Sequence, residues 1–133
     1  MSTYNRIGNV ANPYQGKAKK VLCLCSAGLL RSPTMANVLH QEFGYNTRAA
    51  GVDSGFALIV ADEVLMAWAD EIVCVEQSVY DTLMYRAKLI LSFDDTRMGF
   101  VESKTKVLDI PDQFSWNDKK LRSIIKKQYE ATL

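Results

Sequence analysis

The sequence predicts an α/β protein: a single doubly wound, four-stranded parallel sheet with helices on both faces and a phosphate-binding loop after the first strand. Short apolar runs alternate with longer amphipathic stretches, strand then helix, four times over, which implies parallel strands joined by right-handed crossovers. The first run, Val21-Leu22-Cys23-Leu24, is apolar without alternation, as a strand buried on both faces is. Directly after it, the small residues Ser26-Ala27-Gly28 lead through Leu29-Leu30-Arg31 to Ser32-Pro33-Thr34, a helix start with proline in its first turn. A close-approaching backbone ahead of a helix N-terminus suits an anion, because unpaired amides and the helix dipole both favour negative charge there.

Taken in order, residues 1–19 read as a leader, with Asn12-Pro13-Tyr14 as a turn signal, and residues 20–133 as one domain. Residues 20–25 form the first strand. Residues 33–43 form the first helix, with Met35, Val38, Leu39 and Phe43 on one face and Gly44 as its stop. Asn46–Val52 is the second strand, whose Ala49-Ala50-Gly51 is small enough to lie against the phosphate loop, and Asp53-Ser54-Gly55 is a turn. Ala57–Ala69 reads as a mostly apolar helix with Asp62 and Glu63 on its wet side. Glu71–Val75 is a buried third strand in which Cys74 is a small core hydrophobe. Gln77 to about Arg86 is a helix with Val79, Tyr80, Leu83 and Met84 inward. Residues 88–93 fit either a strand or the end of that helix, and 94–104, rich in charge, read as a surface loop. Lys106–Ile110 is the fourth strand. Pro111 ends it, and Asp118 caps a last helix with Leu121, Ile124, Ile125 and Tyr129 on one face. Ligands of such sheets bind beyond the carboxyl ends of the strands, where the Cys25 loop and the loops after the second and fourth strands emerge.

Composition narrows the function. Sixteen Lys and Arg against fifteen Asp and Glu give a net charge of +1. That balance offers no field for nucleic acid or an anionic membrane. No run is apolar enough to span a bilayer and the first residues carry no signal-peptide core, so the expectation is a cytoplasmic protein. Three cysteines make no disulfide framework. Cys23-x-Cys25 lacks a second ligand pair, and His40 is the single histidine, so neither a metal nor a cofactor is expected.

Cys25, five residues, then Arg31-Ser32 is the signature of cysteine-dependent phosphatases. The helix dipole and Arg31 favour the ionised thiolate. Placed after the first strand and continuing as Arg31-Ser32-Pro33, the motif resembles that of the low-molecular-weight protein tyrosine phosphatases. The resemblance implies Cys25 as nucleophile and Arg31 as bidentate clamp on the phosphate oxygens. It also implies a Ser32 hydroxyl given to the thiolate, and phosphate-binding amides at Ser26, Ala27, Gly28, Leu29 and Leu30. Gly28 replaces the family's loop asparagine. Leu29 stands where members selective for phosphotyrosine carry isoleucine and those selective for phosphoarginine carry threonine, which implies an aromatic ester. Leu30 replaces a cysteine that many members use to protect the nucleophile.

The leaving group needs a protonated carboxyl, and no Asp or Glu precedes Cys25. Asp109 and Asp112 lie on the loop after the last strand. The family carries its acid there, in an Asp-Pro-Tyr segment, so the resemblance selects Asp112-Gln113-Phe114, with Asp112 as acid and Phe114 at the pocket rim. Asp109 is the second candidate. The expected substrate is a phosphotyrosine protein or a small aryl phosphate. Two other activities compete: arsenate reduction, which needs a resolving cysteine and has only Cys74 downstream, and phosphate or phosphopeptide binding without turnover.

Overall fold

The computed structural model describes residues 18–26, 31–53, 61–91, 95–113 and 115–133. Nine elements follow one another: β1 (Lys20–Cys25), α1 (Arg31–Phe43), β2 (Asn46–Gly51), α2 (Glu63–Trp68), β3 (Glu71–Cys74), α3 (Gln77–Ile90), α4 (Asp95–Ser103), β4 (Thr105–Val107) and α5 (Lys119–Glu130). The strands form one parallel sheet in the order β2-β1-β3-β4, as the alternation of strand and helix predicts. The first crossover runs one way from β1 and the next two run back. Right-handed connections therefore place α1 on one face and α2, α3 and α4 on the other, while α5 packs against α1.

β1 is a central strand paired on both sides, and Val21, Leu22, Cys23 and Leu24 have no exposed surface. That is why its sequence is continuously apolar. In α1 the apolar residues Met35, Val38 and Leu39 are buried. Gly44, at φ +72°, closes the helix in the left-handed region that glycine enters at no steric cost, and its N–H donates to the His40 carbonyl at 3.0 Å. α5 buries Leu121, Ile125 and Tyr129 completely, with Ile124 half-buried, and the Asp118 carboxylate accepts from the Lys120 and Leu121 amides as a helix cap.

Beyond shifts of one or two residues at the ends of α1, β2 and β3, four readings differ from expectation. Residues 95–103 form a helix rather than a loop. Among its described side chains it buries only Met98 and Val101 and leaves Phe100 71% exposed, so no apolar stripe marks it. α3 runs on to Ile90 because Ala87 extends its buried row. Asp62 lies on no helical flank; it is the cap of α2, its carboxylate accepting from the Leu65 amide. β4 starts at Thr105 and ends at Val107, although the Leu108 and Ile110 amides still donate to the Cys74 and Val75 carbonyls at 2.9 and 2.8 Å. The turn at residues 54 and 55, the start of the expected 57–69 helix, residues 92–94 and the leader through residue 17 lie outside the described residues.

Candidate active site

Hydrogen bonds beyond the strand ends gather the carboxyl edge. The Val52 N–H donates to the Cys25 carbonyl at 3.0 Å and the Asp53 N–H to the Ser26 carbonyl at 2.8 Å, so the segments after β1 and β2 leave the sheet side by side. The Val75 N–H donates to the Leu24 carbonyl at 3.0 Å, bringing the start of the next loop beside them.

Cys25 ends β1 with Sγ 3.1 Å from Ser32 Oγ, and the Ser32 hydroxyl also reaches the Ala50 carbonyl at 3.3 Å. The small residues of β2 allow this approach. That hydroxyl has one proton and two acceptors. While the sulfur is a thiol, S–H can donate to Ser32 Oγ and the hydroxyl to Ala50; once the sulfur is ionised, the hydroxyl can turn to it.

Arg31 opens α1 and is 6% exposed. A buried guanidinium must find acceptors. Its Nη1 donates to the Ile110 carbonyl at 3.2 Å, Nη2 donates to Glu76 Oε1 at 3.4 Å, and Nη1 lies 3.2 Å from Glu76 Oε2. Nε is 3.5 Å from Asp112 Oδ1. Hydrogen bonding from Arg31 holds the Glu76 carboxyl below its ordinary value, partly opposed by burial.

Of the sequence-predicted residues, Cys25 meets Ser32 and Asp112 meets Arg31, the two pairs joined through the consecutive residues Arg31 and Ser32, and Ser26 is exposed at the mouth of β1. Asp109 has its N–H and carbonyl tied to the Gln128 amide, each at 2.7 Å. Ala27, Gly28, Leu29, Leu30 and Phe114 lie outside the described residues. Sequence reasoning passed over Glu76. Its signal was present: it is an acidic residue one position past the buried run of β3, at the edge where ligands bind.

Cys74 is fully buried in β3, and burial pushes its thiol up to about 12. Burial likewise raises the Cys23 thiol well above its usual value, with Glu71, Cys25 and Cys74 adding to it. Among the described residues no cluster of His, Cys, Asp or Glu could hold a metal ion, and no helix is long and apolar enough to cross a membrane.

No protein-family model matches the chain, and no curated protein matches it in sequence. Solved structures do. Wzb of Vibrio vulnificus, in complex with benzylphosphonate, superposes with a TM-score of 0.60 at 19% identity, covering 86% of this chain and 97% of its own. The tyrosine phosphatase Wzb of Escherichia coli K30, in complex with phosphate, gives 0.57 at 15% identity, covering 86% and 96%. The YwlE arginine phosphatase of Geobacillus stearothermophilus gives 0.55 at 16% identity, covering 86% and 92%. The chain therefore has the fold of the low-molecular-weight tyrosine phosphatases.

Proposed function

We propose that the protein is a cysteine-dependent phosphatase that hydrolyses aryl phosphate monoesters of the phosphotyrosine type. One observation carries the reading: at the start of α1 the consecutive residues Arg31 and Ser32 reach, respectively, Asp112 from the far end of the chain and Cys25 at the end of β1. The fold shared with tyrosine and arginine phosphatases supports it. The Cys25 thiolate attacks phosphorus in line; an S–P bond forms and the bond to the ester oxygen breaks. Arg31 and the loop amides neutralise the equatorial oxygens. The Asp112 carboxyl gives its proton to the departing oxygen. As a carboxylate it then takes a proton from water, whose oxygen displaces the Cys25 sulfur and releases inorganic phosphate. The alcohol, the phosphate and the free thiolate are the products, and no metal enters the cycle.

The cycle needs Cys25 as thiolate and Asp112 as acid at the same time. Leu29 favours an aromatic ester over phosphoarginine, and a reducing cytoplasm would keep Cys25 a thiol. Arsenate reduction is disfavoured because Cys74 is sealed in the sheet. The test is hydrolysis of phenyl phosphate at mildly acidic pH with excess chelator, for the wild type and Cys25→Ser, with phosphoarginine run in parallel. Chelator-resistant turnover lost in Cys25→Ser supports the chemistry, and preference for phosphoarginine would correct the substrate. Phosphate binding without turnover of either compound would sink the enzyme reading in favour of a binding module.

A further inference from the structure

Asp112 is 67% exposed and meets Arg31 at 3.5 Å, so its side chain is not fixed by burial. A general acid must nevertheless stand within hydrogen-bond reach of the leaving oxygen. The constraint lies in the ends of its loop. At the entry, Ile110 is bonded to Val75 and Asp109 to Gln128 of α5. At the exit, Asn117 sits at φ +61°, a left-handed conformation that asparagine tolerates better than most residues. Its N–H donates to Thr34 Oγ1 at 2.8 Å. Its side-chain oxygen accepts from the Arg122 guanidinium, which also donates to Asn37 Oδ1 at 2.6 Å and Gln41 Oε1 at 3.0 Å. Thr34 is fully buried and stands one turn after Arg31 in α1. One residue thus ties the far end of the acid loop to the helix that carries the phosphate clamp, and Arg122 locks that residue to both helices.

We propose that Arg122, acting through Asn117 and Thr34, is a positioning residue for the general acid: it sets where Asp112 stands relative to the ester oxygen. The proposal rests on the phosphatase reading with Asp112 as acid. Arg122 donates to Asn117, Asn37 and Gln41, so its loss acts through Asp112 on the two proton transfers, to the leaving oxygen and from water, and not on nucleophilic attack. A shift of about 1 Å in a catalytic group can cost on the order of a hundredfold. In kcat/KM, which reports the steps up to departure of the leaving group, that cost falls on esters whose leaving group needs the proton.

The experiment compares phenyl phosphate with dinitrophenyl phosphate, whose phenolate departs unaided, in the full chain carrying Arg122→Met, Thr34→Val or Asp112→Asn. Expected is a loss of about ten- to a hundredfold in kcat/KM on phenyl phosphate for Arg122→Met and a smaller loss for Thr34→Val. The kcat/KM on dinitrophenyl phosphate should change little, and so should phosphate protection of Cys25 against iodoacetate. Arg122→Met should add nothing in the Asp112→Asn background, because the two act through one group. Equal losses of kcat/KM on both esters, or additive losses in the double variant, overturn the proposal. Should Arg122→Met lose phosphate protection, the near-isosteric Thr34→Val decides: an unchanged preference between the two esters overturns the clamp. Wild-type protein inactive on both esters overturns the phosphatase reading and the clamp's role with it, whereas an active wild type whose Asp112→Asn variant shows no ester preference overturns the assignment of the acid.

Discussion

At the amino edge of the sheet the Glu71 side chain is 8% exposed, and its carboxylate takes a hydrogen bond of 2.6 Å from the Tyr129 hydroxyl and ion pairs from Lys106 at 2.9 Å and Lys19 at 3.2 Å. At the carboxyl edge the Asp112 side chain is 67% exposed and meets one guanidinium at 3.5 Å. Both are carboxylates paired with cations, Glu71 at the first residue of β3 and Asp112 five residues past the end of β4. Glu71 has its charge neutralised from several sides, and its oxygens are occupied. Burial alone would raise its carboxyl, but the bonds from Tyr129, Lys106 and Lys19 outweigh that and hold it below the usual value. Such a group is a structural anchor that cannot readily exchange a proton with a ligand. Asp112 keeps most of its side chain open to solvent, as a group proposed to give and take protons must. The lesson is that saturation with partners, not charge, separates the anchor from the candidate acid.

The comparison is broken most forcefully at the carboxyl edge. Asp112→Asn should lower turnover of phenyl phosphate by about a hundredfold or more, the usual worth of a general acid, while leaving the thermal midpoint in place. A comparable effect from Asp109→Asn with Asp112→Asn unimpaired would transfer the role. At the amino edge the signs reverse. Glu71→Gln should leave turnover unchanged and cost about 2 kcal/mol of stability, the scale of losing hydrogen bonds to a charged group, readable as a lower urea midpoint with the slope retained.

A depressed carboxyl contributes stability above its unfolded value and loses it as pH falls through its lower folded value. Urea midpoints should therefore drop on acidification below the usual carboxylate range, and the drop should be shallower in Glu71→Gln. The smallest effect belongs to neither edge. Asp118→Ala removes the cap of α5 and should cost about 1 kcal/mol, with ester preference intact because Arg122 and Gln128 keep their loop contacts.

Legibility followed the depth of burial. β1, α1 and α5 could be read in outline because each presents a continuous run or stripe of apolar residues to the core, and Asp118 announces the start of α5. α4 could not be read: among its described side chains only Met98 and Val101 are buried, Gly99 lowers its intrinsic preference for a helix, and Phe100 is exposed. The Cys25–Arg31 motif is local in sequence and therefore visible. The Glu76 contact with Arg31 spans 45 positions and the Asn117 contact with Thr34 spans 83, so neither has a local pattern to betray it. The demand for an acid on that side of the sheet left Asp109 and Asp112 open, and the family resemblance selected Asp112, while the contacts of Asn117 and Arg122 carry no signal that composition expresses.

The bond from Arg31 to the Ile110 carbonyl closes a loop of 79 positions. During synthesis Cys25 and Arg31 emerge before the loop that carries Ile110 and Asp112, so the guanidinium waits for an acceptor 79 positions downstream. On the proposed function, a nascent chain halted before Ile110 holds the sulfur without the acid, and a ribosome-bound chain should hydrolyse phenyl phosphate only once α5 has cleared the exit tunnel.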